Sequence, residues 1–255
     1  MRNIKITIKY DGSKYKGWQR LKTTDSTIQA KIEAVVSKMT GEKIEIIGSG
    51  RTDAGVHAIA QIANFKTNSQ MNISKMHEYL YNYLPHDIVV INIEEVDIRF
   101  HSRYNALSKT YLYKIDNNKI HDPFLRKYTT HIPDKFNIDN MKRACKHLIG
   151  EHDFSSFKSS KSKKKSSVRT INYIDIEVEN GFIDIKINGN GFLHNMVRII
   201  VGTLIDVGHG KIKPDYINNI LKSKDRSLAG STAYSQGLYL YKVNYNDTLK
   251  KETSF

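Results

Sequence analysis

The 255-residue chain has a single cysteine, Cys145, which excludes an intramolecular disulfide and any zinc site built from several thiolates. It has no apolar run near the roughly 18 residues that a membrane span needs. Met1-Arg2-Asn3-Ile4-Lys5 leads directly into alternating apolar and polar residues instead of a secretory leader, so the expectation is a cytoplasmic protein without a membrane segment. Ten histidines occur without H-x-x-x-H or H-E-x-x-H spacing, and no metal centre is expected. Acid is scarce: 26 Asp and Glu stand against 40 Lys and Arg, a formal charge of +14 that favours a polyanionic partner, nucleic acid first. Cys145 itself lies in an amphipathic helical pattern, where it reads as a small buried residue rather than a nucleophile.

Against these absences stands one dense stretch, Gly48-Ser49-Gly50-Arg51-Thr52-Asp53-Ala54-Gly55-Val56-His57-Ala58. Its glycines permit positive φ and close approach of a ligand, and the short side chains around Asp53 leave space for a planar group. Gly50 and Gly55 have the spacing of a phosphate-binding P-loop, but Val56-His57 stands where Lys-Ser/Thr must bind phosphate and magnesium. The dinucleotide fingerprint fails as well, because Asp53 occupies the place of the third glycine. Two readings remain from the stretch alone: a loop with a chemically employed aspartate, or a glycine-rich turn whose aspartate caps its own backbone.

Periodicity places the loop between expected strands at 43–47 and 58–65. Before it, Ile4, Ile6, Ile8 and Tyr10 alternate as a strand, and Ser26-Thr27-Ile28-Gln29 reads as a capping box opening a helix that Gly41 ends. A helix closed by Pro85 and a strand at 88–98 complete a β-α-β-β-α-β order. The second half repeats that grammar: a strand at 102–116, a helix at 138–149, strands flanking an Asn180-Gly181 turn, helices at 192–207 and 214–221, and a last strand at 238–243. The expected fold is α+β, two ferredoxin-like halves with mainly antiparallel sheets backed by helices around a central active-site cleft, at 1–105 and 106–255. A basic low-complexity loop, 158–167, interrupts the second half.

Gly50-Arg51-Thr52-Asp53-Ala54-Gly55-Val56-His57-Ala58 resembles the catalytic motif of the tRNA pseudouridine synthase A (TruA) family. Further segments follow in that family's order: Tyr10-Asp11-Gly12 with Gly17-Trp18-Gln19, Lys109-Thr110-Tyr111-Leu112-Tyr113, Gly150-Glu151-His152-Asp153-Phe154, Val168-Arg169-Thr170-Ile171, Gly191-Phe192-Leu193-His194-Asn195-Met196-Val197-Arg198 and Gly237-Leu238-Tyr239-Leu240. The resemblance implies isomerisation of uridine to pseudouridine at positions 38, 39 and 40 of the tRNA anticodon arm, without metal or organic cofactor, by a homodimer. It also makes Asp53 the nucleophile and Tyr111 the ring that stacks on the flipped uracil.

The remaining roles come from chemistry around these two. Arg51 is placed to fill the space left by the extruded base or to bind its phosphate. Arg198, a lone charge on an apolar helix, needs a partner, and an ion pair with Asp53 would keep the carboxylate ionised. His57 is expected to orient the loop by hydrogen bonding. Lys161, Lys163, Lys164, Lys165 and Arg169 are expected to contact RNA phosphates without reading bases. Which atom Asp53 engages stays open among ribose C1′, the 2′ proton and uracil C6. A non-catalytic RNA-binding protein is the main rival, and it has no need of the Asp53 motif; a DNA-binding regulator lacks a reading helix. The 226–237 segment lacks the prolines usual in the family, which implies a looser loop there.

Overall fold

Ile4, Ile6 and Ile8 are fully buried along β1 (Arg2–Tyr10), as their period of two requires of a strand with one core face. In the computed structural model, which describes residues 1–159 and 166–246, the chain divides into two compact units. One comprises Met1–Leu107 with the residues from Leu240 on, the other Ser108–Tyr239. The expected division at 105 put everything after it into the second half; the division instead falls a second time, inside the last strand, Leu238–Asn244.

In the first unit β1 lies between two antiparallel neighbours, β3 (His57–Thr67) and β4 (Ile88–Val96), with Ile6 opposite Ala63 on one side and Ile93 on the other. The two-residue β2 (Ile47–Gly48) pairs with β3 on its other edge. With α1 (Ile28–Thr40) and α2 (Ile73–Tyr83) as connections, the strand order β4-β1-β3-β2 is that of a ferredoxin-like unit. One polar residue of β1, Asn3, is buried with the core because it is fully bonded: its amide donates to the Asp97 and Phe100 carbonyls, and its oxygen accepts from Asn64.

Two local expectations are overturned by the same pair of side chains. The cap of α1 is Thr27, which accepts from the Ala30 N–H, and not Ser26 with a reciprocal Gln29. Gln29 is drawn inward instead, accepting from the Arg20 N–H and donating to Glu33 and to the Ile46 carbonyl. The strand expected at 43–47 shrinks to Ile47–Gly48, because Ile44 N–H bonds Ser37 Oγ and Ile46 N–H bonds Glu33 Oε1. Backbone donors satisfied by a helix's side chains have no need of a ladder.

In the second unit β5 (Ser108–Asp116), β9 (Phe182–Gly189), β8 (Val168–Glu179) and β7 (Gly150–Asp153) form an antiparallel run in that order, and β6 (Thr130–His131) joins β5 in parallel. The β5-β9-β8 part repeats the β1-β3-β2 order of the first unit. The hairpin turn is Asn180-Gly181, both at positive φ, as the mirror-image turns that match strand twist demand. The strand expected from 102 starts only at Ser108, because 101–105 folds on itself with Asn105 Oδ1 accepting from His101 N–H. The helices are α3 (Ile138–Leu148), α4 (Met196–Gly208) and α5 (Ile217–Ser223). A helix expected from 192 begins at Met196, since Asn195 sits at φ 60°, outside the right-handed region.

Cys145 is buried on α3, and burial pushes its thiol up to about 12, so it is neither thiolate nor nucleophile at neutral pH. Among the described residues no helix is long and apolar enough to cross a membrane.

Candidate active site

The Asp53 loop spans the eight residues between β2 and β3, and its backbone is held from outside itself. At its start Ser49 N–H donates to the Ile62 carbonyl, and Gln61, wholly buried on β3, bonds Ser49 Oγ and donates its amide to the Gly50 carbonyl. Next to the aspartate, the Thr52 carbonyl accepts from Trp18 N–H at 3.0 Å, and Thr52 Oγ1 shares a buried 2.8 Å hydrogen bond with Tyr10 Oη. Past it, Val56 N–H closes a turn on the Asp53 carbonyl at 3.2 Å, with Gly55 at φ 76°. Asp53 is half-buried between buried Thr52 and exposed Ala54, and Arg51 is exposed.

Two glycines from the opening motif let the chain approach this closely. A Cβ on Gly12 would stand 2.0 Å from the Val56 carbonyl oxygen, and one on Gly17, itself at φ 99°, would stand 2.7 Å from the Thr52 oxygen. Tyr10, Gly12, Gly17 and Trp18 thus form the wall against which the loop is cast. The sequence marked them as a motif without a task. Gln61 it missed, and the available signal was a polar residue at an alternate position shared with Ile59, Ala63 and Phe65.

His57 is 1% exposed, and its Nδ1 accepts from Gly12 N–H at 3.1 Å. Asp11 Oδ1 lies 3.2 Å from the same nitrogen. One nitrogen cannot accept from Gly12 and donate to Asp11 at once. Because Asp11 Oδ1 already accepts from Ser13 N–H and Oγ, the Gly12 bond is the stronger claim, and it places the imidazole proton on Nε2. Through that bond His57 ties the end of the loop to the opening motif.

In the second unit Tyr111 lies on β5 opposite Ile187, 8% exposed, with the Phe192 ring edge-on at 5.1 Å. Arg198 occupies the first turn of α4, half-buried, and donates through Nε to the Ala233 carbonyl at 2.7 Å and through Nη1 to Asn195 Oδ1 at 3.1 Å. The 229–233 segment that carries Ala233 is not loose, as the missing prolines implied. Gly230 N–H donates to Thr203 Oγ1, and Gly202 lies so close that a Cβ there would stand 1.8 Å from the Ser231 oxygen. Tight packing against a glycine on α4 does what proline rigidity would do. Arg169 lies on β8, half-buried, its guanidinium bonded to the Ser166 and Val168 carbonyls, and burial lowers its pKa. Lys161, Lys163, Lys164 and Lys165 lie outside the described residues. Within the first unit Asp53 and Arg51 share the loop and His57 opens β3 directly after it; within the second, Tyr111, Arg169 and Arg198 lie on three different elements. Among the described residues no three His, Cys, Asp or Glu side chains gather as metal ligands do.

Known proteins match along nearly all of this frame. A family model described as tRNA pseudouridine synthase matches residues 6–105 and 144–246. "tRNA pseudouridine synthase A" of Bacillus sp. strain KSM-64 is 56% identical over 245 residues, 96% of this chain and 100% of that protein. "tRNA pseudouridine synthase A 2" of Bacillus cereus is 53% identical, and "tRNA pseudouridine synthase A" of Thermoanaerobacter pseudethanolicus 51%, each with the same coverage. A solved chain in the Cbf5-Nop10-Gar1 complex is 10% identical at a TM-score of 0.39, the match covering 96% of this chain and 50% of that one, a likeness too slight to bear on the fold. With both of its halves matched by one family model and relatives above 50% identity along 245 residues, the chain belongs to the tRNA pseudouridine synthase family and is an isomerase of uridine in tRNA.

Proposed function

We propose that this isomerase acts on positions 38, 39 and 40 of the tRNA anticodon arm and that Asp53 is its nucleophile. The observation that most supports the assignment is the loop itself: a half-buried carboxylate whose flanking backbone is fixed by Gln61, Trp18, Tyr10 and the His57–Gly12 bond. Reactive groups work best on such a preorganised support. The reaction breaks the bond from ribose C1′ to uracil N1, turns the ring, and joins C1′ to C5; the C5 proton is lost and N1 gains one, so the product is an isomer. A carboxylate serves whether it attacks C1′, removes the 2′ proton or adds to C6.

A uridine within a stem must leave the stack before any of these atoms is reached. Arg51, exposed beside Asp53, is proposed to take the vacated space, and Tyr111 to stack on the extruded uracil with Phe192 fixing its ring. Arg198 is proposed as the counter-charge of Asp53. Variants at Tyr111 and Arg51 that turn over tRNA like the parent protein would remove those two roles.

The direct test is to map pseudouridine in tRNA from cells with and without this protein. Loss at 38, 39 and 40 alone is expected; loss elsewhere with those positions intact would overturn the site choice. For the partner surface, neutralising Lys161, Lys163, Lys164 and Lys165 together should weaken tRNA binding and flatten its salt dependence, by a slope of about 0.7 to 0.9 for each phosphate no longer neutralised. An unchanged slope of log affinity against log salt would take those lysines out of the interface. We further infer a homodimer, and a monomer mass in sedimentation with and without tRNA would refute it.

A further inference from the structure

The second unit contains a cavity of about 410 Å³ lined by Lys158, Lys224, Arg226, Asn195, Thr232, two serines and one apolar residue, Ile199. Among the described residues no carboxylate lines it. Three cations around one recess repel one another and call for an anion. Their hydrogen-bond partners do not supply it: Lys158 Nζ bonds the neutral Ser167 Oγ at 2.7 Å, and Arg226 donates to the Ala229 carbonyl and to Thr232 Oγ1. Lys224 has an acid, Asp153 at 3.0 Å, but that lysine is 62% exposed, where such a pair holds weakly.

Two further features fit an anion with several oxygens. Thr232 Oγ1 accepts from Arg226 and Asn195 Oδ1 accepts from Arg198, which leaves the threonine hydroxyl proton and the asparagine amide hydrogens for donation. Lys224 sits at φ 55°, just past the end of α5, a position glycine takes without cost and lysine does not. Residues other than glycine held in that region cluster at functional sites.

We propose that this cavity seats a backbone phosphate of the tRNA substrate, with Lys158, Lys224 and Arg226 neutralising it and Asn195 and Thr232 completing the hydrogen bonds. The proposal rests on the tRNA reading above and deepens it, because Asn195 links the phosphate seat directly to Arg198. A seat of this kind holds the substrate without touching the reacting atoms, so its loss falls on KM and not on kcat.

The test uses the full chain with Lys158→Ala, Arg226→Ala and Lys224→Gly, singly and combined, all four loop lysines at 161 and 163–165 left intact. Each single change should raise KM for tRNA about threefold to tenfold with kcat within twofold, and the triple variant should reduce the log affinity against log salt slope by about 0.7 to 0.9, the share of one phosphate. Lys224→Gly is decisive, because it removes the charge while relieving the backbone: its melting temperature should hold or rise while affinity falls. Unchanged KM in that variant, or an unchanged salt slope in the triple variant, would overturn the proposal. Inorganic phosphate should compete with tRNA for the parent protein and lose that effect in the triple variant; equal competition in both would place the anion elsewhere and also overturn it. Should the parent protein form no pseudouridine in tRNA, the functional reading fails, while the salt slope with the same RNA still decides the cavity.

Discussion

Asp53→Asn is expected to bring pseudouridine formation below detection while leaving tRNA affinity within about tenfold of the parent protein, because phosphate contacts dominate binding to RNA. The substitution keeps size and shape and removes only the nucleophilic oxygen's charge. Much of the loop is held through other groups: Gly50 by Gln61, Thr52 by Trp18 and Tyr10, and the turn by Val56 on the Asp53 carbonyl. These contacts survive the substitution, so the variant should stay folded, and its melting temperature, read beside the assay, separates lost chemistry from lost structure. Single-turnover assay on a uridine-containing tRNA transcript, beside a binding titration, reads both. Full turnover by the variant would falsify the assignment of Asp53. If Arg198 acts through its charge, Arg198→Lys should retain more activity than Arg198→Met; equal losses would assign Arg198 to its bonds with Ala233 and Asn195 instead.

What the sequence made legible follows how local each cause is. The alternation of Ile4, Ile6 and Ile8, the Asn180-Gly181 turn and the Gly41 stop are each specified by a few neighbouring residues, and all three appear where the pattern puts them. The failures share a different cause. Gln29 and Glu33 look like ordinary helix polar residues, yet both are buried and take backbone donors from Arg20 and Ile46, which erases a capping box and most of a strand. Nothing within a window of ten residues announces that. The helix expected from Phe192 fails at its first turn for the same reason, since the apolar run continues through a residue, Asn195, whose left-handed backbone only the fold reveals.

The site divides along the same line. Asp53 was legible because glycines and small residues around one carboxylate are unusual, and His57 because it follows in the same sequence motif. Its supports were not, because Tyr10, Gly12 and Trp18 are more than thirty residues away in sequence and act through a hydroxyl, an absence of side chain and a backbone N–H. The cationic cavity was invisible for a similar reason: Lys158, Lys224 and Arg226 are three ordinary basic residues in a chain with 40, and only folding brings them around one space.

Gly12→Ala should lower kcat/KM about a hundredfold, the largest effect expected from any change outside the reacting groups. The added methyl would lie 2.0 Å from the Val56 carbonyl oxygen and 2.6 Å from its carbon, both backbone atoms, so no side-chain rotation relieves the clash. Either the opening motif or the 54–56 end of the loop must move by about 1 Å, and misplacement of that size costs about a hundredfold when geometry controls the reaction. The Thr52 side of the loop cannot follow, because Trp18 and Tyr10 hold it, so the shift is concentrated at Asp53 and on the Gly12–His57 bond. Overpacking should also cost about 1 to 3 kcal/mol, a fall in melting temperature of several degrees. Gly41→Ala is the control: no atom lies within 4 Å of its added Cβ, but at φ 72° it carries backbone strain of about 1 kcal/mol, at the end of α1 and outside the contacts that hold the loop. It should lose stability and keep its activity. If the two variants lose stability alike and both keep kcat/KM within twofold, the wall at Gly12 does not position the aspartate; a hundredfold gap between them shows that it does.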